Sequence, residues 1–222
     1  MSGDTFKHKR WRLQLVELLK TMGISDDAVL HAIGEVPRHL FFETLFDQVA
    51  YEDKALPIIC GQTISKPSTV AYQSQLLSVK PGMKVMEVGT GSGYQTAVLC
   101  ELKTKVFTIE RQKELFDLTR PRLAKMGYDA QCFLGDGFVG LPEYAMFDRI
   151  IITCGAPFVP PGLLSQLKVG GVMVIPVGEK NQEMLRIIKN GEGPNDFEQQ
   201  KFGDCSFVPM LQKLDYGSSK TL

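Results

Sequence analysis

The chain reads as an α/β protein: a doubly wound, mostly parallel seven-stranded sheet preceded by a helical extension. Three observations predict this. Five short apolar runs between residues 84 and 176 alternate with helix-length segments, the mark of βα units that lay strands parallel. The first run opens into glycines at 89, 91 and 93 ahead of an amphipathic stretch, a strand-to-helix turn of the kind at which such sheets hold ligands. Two more strand-like runs flank a glycine- and proline-rich turn near the C-terminus, which predicts an antiparallel finish.

At 222 residues the chain is long enough for one sizeable core. A single domain over 1–222 is expected, made of three parts. Residues 1–80 form the helical extension with a polar loop, 81–180 the ligand-binding core, and 181–222 the antiparallel strands and a tail. Lys+Arg and Asp+Glu both number 25, so no general basic field draws nucleic acid.

The extension starts with the basic cluster Lys7-His8-Lys9-Arg10-Trp11-Arg12, followed by Leu13, Leu15, Val16, Leu18 and Leu19. Glu17 and Lys20 interrupt the apolar residues, so the spacing predicts an amphipathic helix over 10–21 and not a signal-peptide core. No run reaches the ~18 apolar residues of a spanning helix, and neither a membrane partner nor a targeting segment is expected. Helical periodicity returns over 26–33, then after Pro37 through Phe46. Gly61-Gln62-Thr63-Ile64-Ser65-Lys66-Pro67 is a polar loop with two hydroxyls, ahead of a helix through Val70, Leu76 and Leu77. Taken alone, Ser65 is a helix-start or turn residue, since no histidine stands beside it as the base that a nucleophilic serine needs.

Lys84 to Val88 is the first strand of the core and carries Glu87 near its end. The pattern acidic-x-G-x-G-x-G that follows, Glu87 to Gly93, is that of a loop passing the methionine half of S-adenosyl-L-methionine (AdoMet). A dinucleotide loop would need a glycine at 94, where Tyr94 stands. The second strand, Val106 to Ile109, ends at Glu110, about 20 residues beyond the loop, where an acid suits ribose hydroxyls. The third, Ala130 to Leu134, ends at Gly135-Asp136-Gly137, and the fourth and fifth are Phe147–Thr153 and Gly171–Pro176. Singly, each of Glu87, Glu110 and Asp136 reads as a helix cap or solvated loop acid. Together, at one strand edge beside a glycine loop, they favour a nucleoside site. Glu183–Lys189 and Phe197–Phe207 supply the last two strands around the turn at 190–196, with their order in the sheet left open, and 217–222 reads as a frayed tail.

The five cysteines are scattered, odd in number and free of any C-x-x-C pair, which argues against a disulfide framework and a zinc site. Cys132 and Cys154 read as small core residues. His8, His31 and His39 show no metal-ligand spacing, and His31 and His39 are expected on helix surfaces. No metal is expected, and the composition suits the cytoplasm.

The motifs resemble those of the protein-L-isoaspartate (D-aspartate) O-methyltransferase family over about Leu13 to Leu211. The marks are Val36-Pro37-Arg38-His39-Leu40-Phe41, Ala50-Tyr51 through Leu56-Pro57-Ile58, Gly61 to Ser65, and Glu87 through Ala97. Further along stand Gly135-Asp136-Gly137, Phe147 to Ile151, Leu167 with Gly170-Gly171, Pro176-Val177-Gly178 and Phe207 to Leu211. The glycine loop is common to many methyltransferases; the Gly-Gln-Thr-Ile-Ser loop and the Val-Pro-Arg segment are specific. One departure is Lys66-Pro67-Ser68-Thr69, where the bacterial pattern has an aromatic after the proline.

The resemblance implies a class I, Rossmann-like AdoMet-dependent sheet and a repair activity. The carboxylate of an isoaspartyl residue, with D-aspartyl residues as further substrates, is methylated, and S-adenosyl-L-homocysteine is the product. It also implies that Ser65 orients the substrate carboxylate and that Gln62, Thr63 and Ile64 close over the site. Gly89, Thr90, Gly91, Ser92 and Gly93 would hold the methionine half, Glu110 the ribose, and Asp136 and Gly137 the adenine. Glu87 would support the loop or the methionyl ammonium. The partners implied are isoaspartyl peptides and proteins; a monomer is expected, although the sequence leaves the oligomeric state open. Two rival enzymes are an AdoMet methyltransferase acting on a small molecule, which the Gly61–Ser65 loop disfavours, and an NAD-dependent oxidoreductase, which Tyr94 disfavours. The non-enzyme rival is an AdoMet-binding scaffold, against which Ser65, Glu110 and Asp136 weigh.

Overall fold

The computed structural model describes residues 3–43, 47–193 and 195–216. The tail expected at 217–222 and the end of the helical stretch expected through Phe46 lie outside them. Helices α1 (Phe6–Thr21) and α2 (Asp27–Glu35) come first. Asp26 caps α2, accepting from the Ala28 and Val29 N–H groups, which satisfies two donors that a helix start leaves unpaired. A small antiparallel pair follows, β1 (Leu56–Pro57) with β2 (Thr63–Ile64), and then α3 (Pro67–Leu77).

The core sheet alternates with helices: β3 (Lys84–Val88), α4 (Tyr94–Glu101), β4 (Lys105–Glu110), α5 (Lys113–Lys125), β5 (Ala130–Leu134), β6 (Phe147–Ile152), α6 (Pro161–Ser165) and β7 (Leu167–Val177). It ends with β8 (Gln182–Lys189) and β9 (Phe197–Cys205). The spatial order is β5-β4-β3-β6-β7-β8-β9. Strands β3 to β7 pair in parallel, while β8 and β9 run antiparallel, with β9 at the edge. The winding reverses between β3 and β6, and a crevice opens beyond the strand ends at such a switch point.

Period-two alternation builds both faces. Val85, Val106, Ile151 and Val174 face one way with Leu76, Leu77 and Leu99 of the helices. Met86, Phe107, Ile150, Ile152, Met173 and Ile175 face the other. Each such side chain, once fully buried, contributes roughly 1.5–3 kcal/mol. The extension shares its core with the sheet's helices: Leu15, Leu19, Val29 and Ile33 pack with Val70, Ala97, Val98 and Leu123.

Three expectations need correction. After Pro37 the described residues form only a 3-10 turn at Arg38–Leu40, followed by bends at Phe41 and Phe42, and not a helix. The segment between β5 and β6 is not a helix; it holds only a 3-10 turn at Pro142–Tyr144. Gly135, Gly137, Gly140 and Pro142 break any helical period there, and Phe138, Leu141 and Tyr144 cover that sheet face instead. Likewise α6 is only five residues long. His39 is not on a helix surface, although His31 is exposed on α2. The His39 ring stacks on His8 at 3.8 Å, its Nδ1 lies 2.5 Å from the Tyr51 hydroxyl, and burial pushes its pKa down to about 4. No helix among the described residues is long and apolar enough to cross a membrane.

Candidate functional site

At the switch point the C-terminal ends of β3, β4 and β6 border a cleft of about 840 Å³, partly open to solvent. Four stretches far apart in sequence line it: Gln62, Thr63 and Ser65; Gly89 to Ser92; Glu110 to Gln112; and Val208 to Leu211. Tyr94, Gly137 and Thr153 also line it.

The glycines of the loop serve three different ends. A Cβ on Gly89 would fall 2.6 Å from Thr153 Oγ1, and that hydroxyl ties β6 to the loop by donating to Gly89 O at 2.7 Å. A Cβ on Gly93 would fall 2.8 Å from Thr119 Cγ2, so this residue is small to admit α5, and it does not line the cleft. Gly91, at φ 53°, has no atom nearer than Gly89 O at 3.9 Å in the direction of a Cβ. Its bare face opens on the cleft. A side chain there would take ligand space, which is the use of glycine where a ligand must approach the backbone.

Glu110 is buried on the cleft wall at 5% exposure. Its Oε2 accepts from Gly91 N at 2.8 Å and its Oε1 from Gln112 N at 2.9 Å. Burial raises its pKa, and these hydrogen bonds oppose the rise. A carboxylate has about four acceptor sites, so Glu110 retains capacity toward the cleft. Asp136 does not line the cleft. Its Oδ1 accepts from Phe138 N at 2.9 Å and its Oδ2 from Lys213 N at 2.8 Å. Gly137 beside it is the floor, where a Cβ would fall 2.4 Å from Val88 Cγ1.

In the 61–67 loop, Ile64 turns into the core of the extension at 1% exposure, whereas Gln62, Thr63 and Ser65 face the cleft. Ser65 does not cap α3. The N-cap is Lys66, without a side-chain cap bond, and the Ser68 N–H is accepted at 2.7 Å by Asp53. The Ser65 hydroxyl has no hydrogen-bond partner among the described residues.

Glu87 lies beneath the loop, off the cleft and fully buried. The Thr96 hydroxyl donates to its Oε2 at 2.5 Å, while Oε1 has no partner among the described residues. Burial pushes this carboxyl up to about 8 from 4.5, against the Thr96 hydrogen bond. Between those pH values the folded chain keeps a proton that the unfolded chain has lost. The resulting stabilisation is complete below about pH 4.5 and is lost as pH climbs to about 8. Urea melts should therefore show stability falling over this window, and Glu87→Gln should flatten the fall by ~2–5 kcal/mol. An unchanged slope in Glu87→Gln would contradict the assignment.

Residues 207–211 form a strap across the cleft, and the sequence reading gave them no role. The Gln182 side chain clamps Phe207, accepting from its N–H at 2.7 Å and donating to its carbonyl at 3.0 Å. Gly155 is bare because a Cβ there would fall 2.1 Å from Gln182 Nε2. Gly155 also pairs with the strap, donating to Val208 O and accepting from Met210 N, both at 2.8 Å. The apolar Val208-Pro209-Met210-Leu211 run after the last strand was a signal for a roof. Nothing in the sequence marked Gln182.

Asp4, His8 and His39 bring donor atoms within 4.8 Å of one another, a cluster that linear spacing hides. Both Asp4 oxygens accept from Arg12 at 2.7 Å, and His8 Nδ1 accepts from Thr5 N. Arg12 thus already occupies both oxygens of the carboxylate in this cluster.

Residues 10–215 match the family profile described as Protein-L-isoaspartate(D-aspartate) O-methyltransferase (PCMT). The chain is 54% identical over 210 residues to a protein-L-isoaspartate O-methyltransferase from Christiangramia forsetii, covering 94% of this chain and 98% of that one. It is 45% identical over 217 residues to one from Methanopyrus kandleri, covering 95% and 96%. A solved protein-L-isoaspartate O-methyltransferase superposes with a TM-score of 0.84 at 27% identity, over 91% of this chain and 67% of the other. A crystal structure of a beta-aspartate methyltransferase from Plasmodium falciparum, in complex with S-adenosyl-L-homocysteine, superposes at 0.78 and 27% identity, over 92% and 98%.

Proposed function

The chain belongs to the protein-L-isoaspartate(D-aspartate) O-methyltransferase family, and from that premise we propose how its cleft carries the family's reaction. The enzyme methylates the free carboxylate of L-isoaspartyl residues in damaged proteins and peptides, using AdoMet. The methyl ester cyclises to a succinimide, whose hydrolysis returns part of the population to normal aspartate. D-aspartyl residues, which the family description also names, are proposed as further substrates.

The residues fit the cofactor. Gly91 leaves a cradle that a Cβ would fill, and Glu110 keeps acceptor capacity on the wall. Gly89, Thr90, Gly91 and Ser92 would hold its methionine half, Glu110 its ribose hydroxyls and Gly137 its adenine, with Gln62, Thr63 and Ser65 closing over it. Glu87, Gly93, Asp136 and Ile64 would support these walls from behind. When bound, AdoMet would supply an electrophilic sulfonium methyl, the C–O bond to a carboxylate oxygen forming as the C–S bond breaks and its electron pair staying on the sulfur of S-adenosyl-L-homocysteine.

One observation carries the residue assignment: Ser65 and the glycine loop line the same cleft, and no histidine lines it. A carboxylate is already ionised at neutral pH, so the protein has no proton to abstract. Its task is alignment and exclusion of water. The Ser65 hydroxyl would donate to one substrate oxygen and fix its approach, and the Gln182-held strap would shield the site.

Ser65→Ala tests this. Losing one hydrogen bond to a charged group corresponds to ~1.5–3 kcal/mol, or about one to two orders of magnitude in rate. Single-turnover methylation of an isoaspartyl peptide should fall by that factor with AdoMet affinity unchanged. Ser65→Thr should fall between. Because Ser65 caps nothing, urea melts should barely move. A Ser65→Ala enzyme with wild-type turnover removes Ser65 from the catalytic role. The equal counts of 25 acidic and 25 basic residues leave no net positive field for a polyanion, and a single-domain cytoplasmic monomer without nucleic-acid or membrane partners is proposed with this reading.

A further inference from the structure

Arg38 is completely buried, at 0% exposure. Its Nη1 donates to Ala50 O at 2.7 Å, and its Nη2 to Lys54 O at 2.9 Å and Ser65 O at 3.0 Å. Its Cζ lies 5.4 Å from the ring centroids of both Phe42 and Tyr94. Among the described residues no carboxylate forms an ion pair with it. Burial lowers its pKa, while the electrostatic influence of Tyr94, Asp53 and Tyr51 works the other way. A guanidinium nonetheless stays charged in proteins.

Burying that charge without a counter-ion is costly, and the fork geometry of arginine is what lets one side chain serve three carbonyls at once. One of these acceptors is the carbonyl of Ser65 itself. Tyr94, over whose ring the guanidinium lies, is the first residue of α4 after the glycine loop and lines the cleft. Three residues past Ser65, Asp53 holds the Ser68 N–H. The loop is therefore pinned at Ser65 by Arg38 and just beyond it by Asp53.

We propose that Arg38 is a positioning residue for the reaction: it fixes the Ser65 backbone against Tyr94 and so sets where the Ser65 hydroxyl stands relative to the glycine loop. This rests on the reading of Ser65 as the residue that orients the substrate carboxylate. Alignment is steep in distance, a displacement of ~1 Å costing about a hundredfold in rate. A lysine keeps the charge, but its compact ammonium lacks the planar fork that spans three separated carbonyls.

A double-mutant cycle between Arg38→Lys and Ser65→Ala tests the proposal. Single-turnover rates on a saturating isoaspartyl peptide are normalised to the fraction of protein that binds S-adenosyl-L-homocysteine by calorimetry. Arg38→Lys should lower the rate about tenfold or more with little change in S-adenosyl-L-homocysteine affinity. In the Ser65→Ala background the same substitution should cost no further rate, because the hydroxyl it positions is gone. An unchanged rate in Arg38→Lys, or an equal loss in both backgrounds, overturns the proposal while leaving the Ser65 reading intact. A wild-type rate in Ser65→Ala alone overturns the Ser65 reading and this proposal with it. Arg38→Gln, which keeps a donor without the charge, is made alongside. If neither Arg38 variant binds S-adenosyl-L-homocysteine, Arg38 is a folding residue and the proposal fails.

Discussion

Gly91→Val is expected to abolish AdoMet binding while leaving a folded protein. A Cβ at this position meets no atom nearer than Gly89 O at 3.9 Å, and Gly91 lines the cleft, so the branched side chain takes ligand space. The Gly91 N–H to Glu110 and the Gly91 carbonyl that accepts from Thr119 are backbone groups, which the substitution retains. A β-branched residue at φ 53° also costs ~1–3 kcal/mol of backbone strain, and this must be separated from the loss of binding. Gly127→Val is the control. Gly127 has φ 82°, open space where a Cβ would stand, and no place in the cleft wall. Calorimetry should show the dissociation constant rising at least about a hundredfold in Gly91→Val, more than ~2.7 kcal/mol, and unchanged in Gly127→Val. Wild-type affinity in Gly91→Val would sink the assignment of this loop.

Much of this architecture is legible in the sequence because strand burial has period two and helix burial does not. Val85/Met86, Val106/Phe107 and Ile151/Ile152 place adjacent residues on opposite faces, so each run declares a strand covered on both sides. The turn at 190–196 likewise announced the antiparallel ending. Pairing order carries no such local signal, so only the structure places β8 inside β9. The β5–β6 connection was misread because length suggested a helix, when Gly140 at φ 71° and Pro142 forbid one.

In the cleft, residue type was legible and direction was not. The spacing of Gly89, Gly91 and Gly93 looks uniform, yet they meet Thr153, open space and α5 respectively. Asp136 sits at the expected strand end but spends both oxygens on Phe138 and Lys213. His39 and His8 are 31 positions apart (39 − 8), and nothing local foretells that their rings stack. Arg38 stood in a segment that the resemblance marked, though with no role, and nothing marked Gln182; both bond backbone groups of distant segments, contacts that depend on the tertiary path.

The central claim is that this cleft esterifies a carboxylate held in one place. An isoaspartyl residue carries its free carboxylate directly on Cα, because the chain continues through the side-chain carboxyl. A normal aspartyl residue carries it one methylene further out, a displacement of ~1.5 Å. Misplacement on the order of 1 Å costs about a hundredfold in rate, so the two peptides should be separated by at least that factor. The direct measurement is single-turnover transfer of a labelled methyl from AdoMet to an isoaspartyl peptide and to its sequence-matched aspartyl twin. Rapid labelling of the isoaspartyl peptide alone, with the label released as methanol in mild base, is the predicted result. Equal labelling of both peptides, or label that resists base, would contradict it.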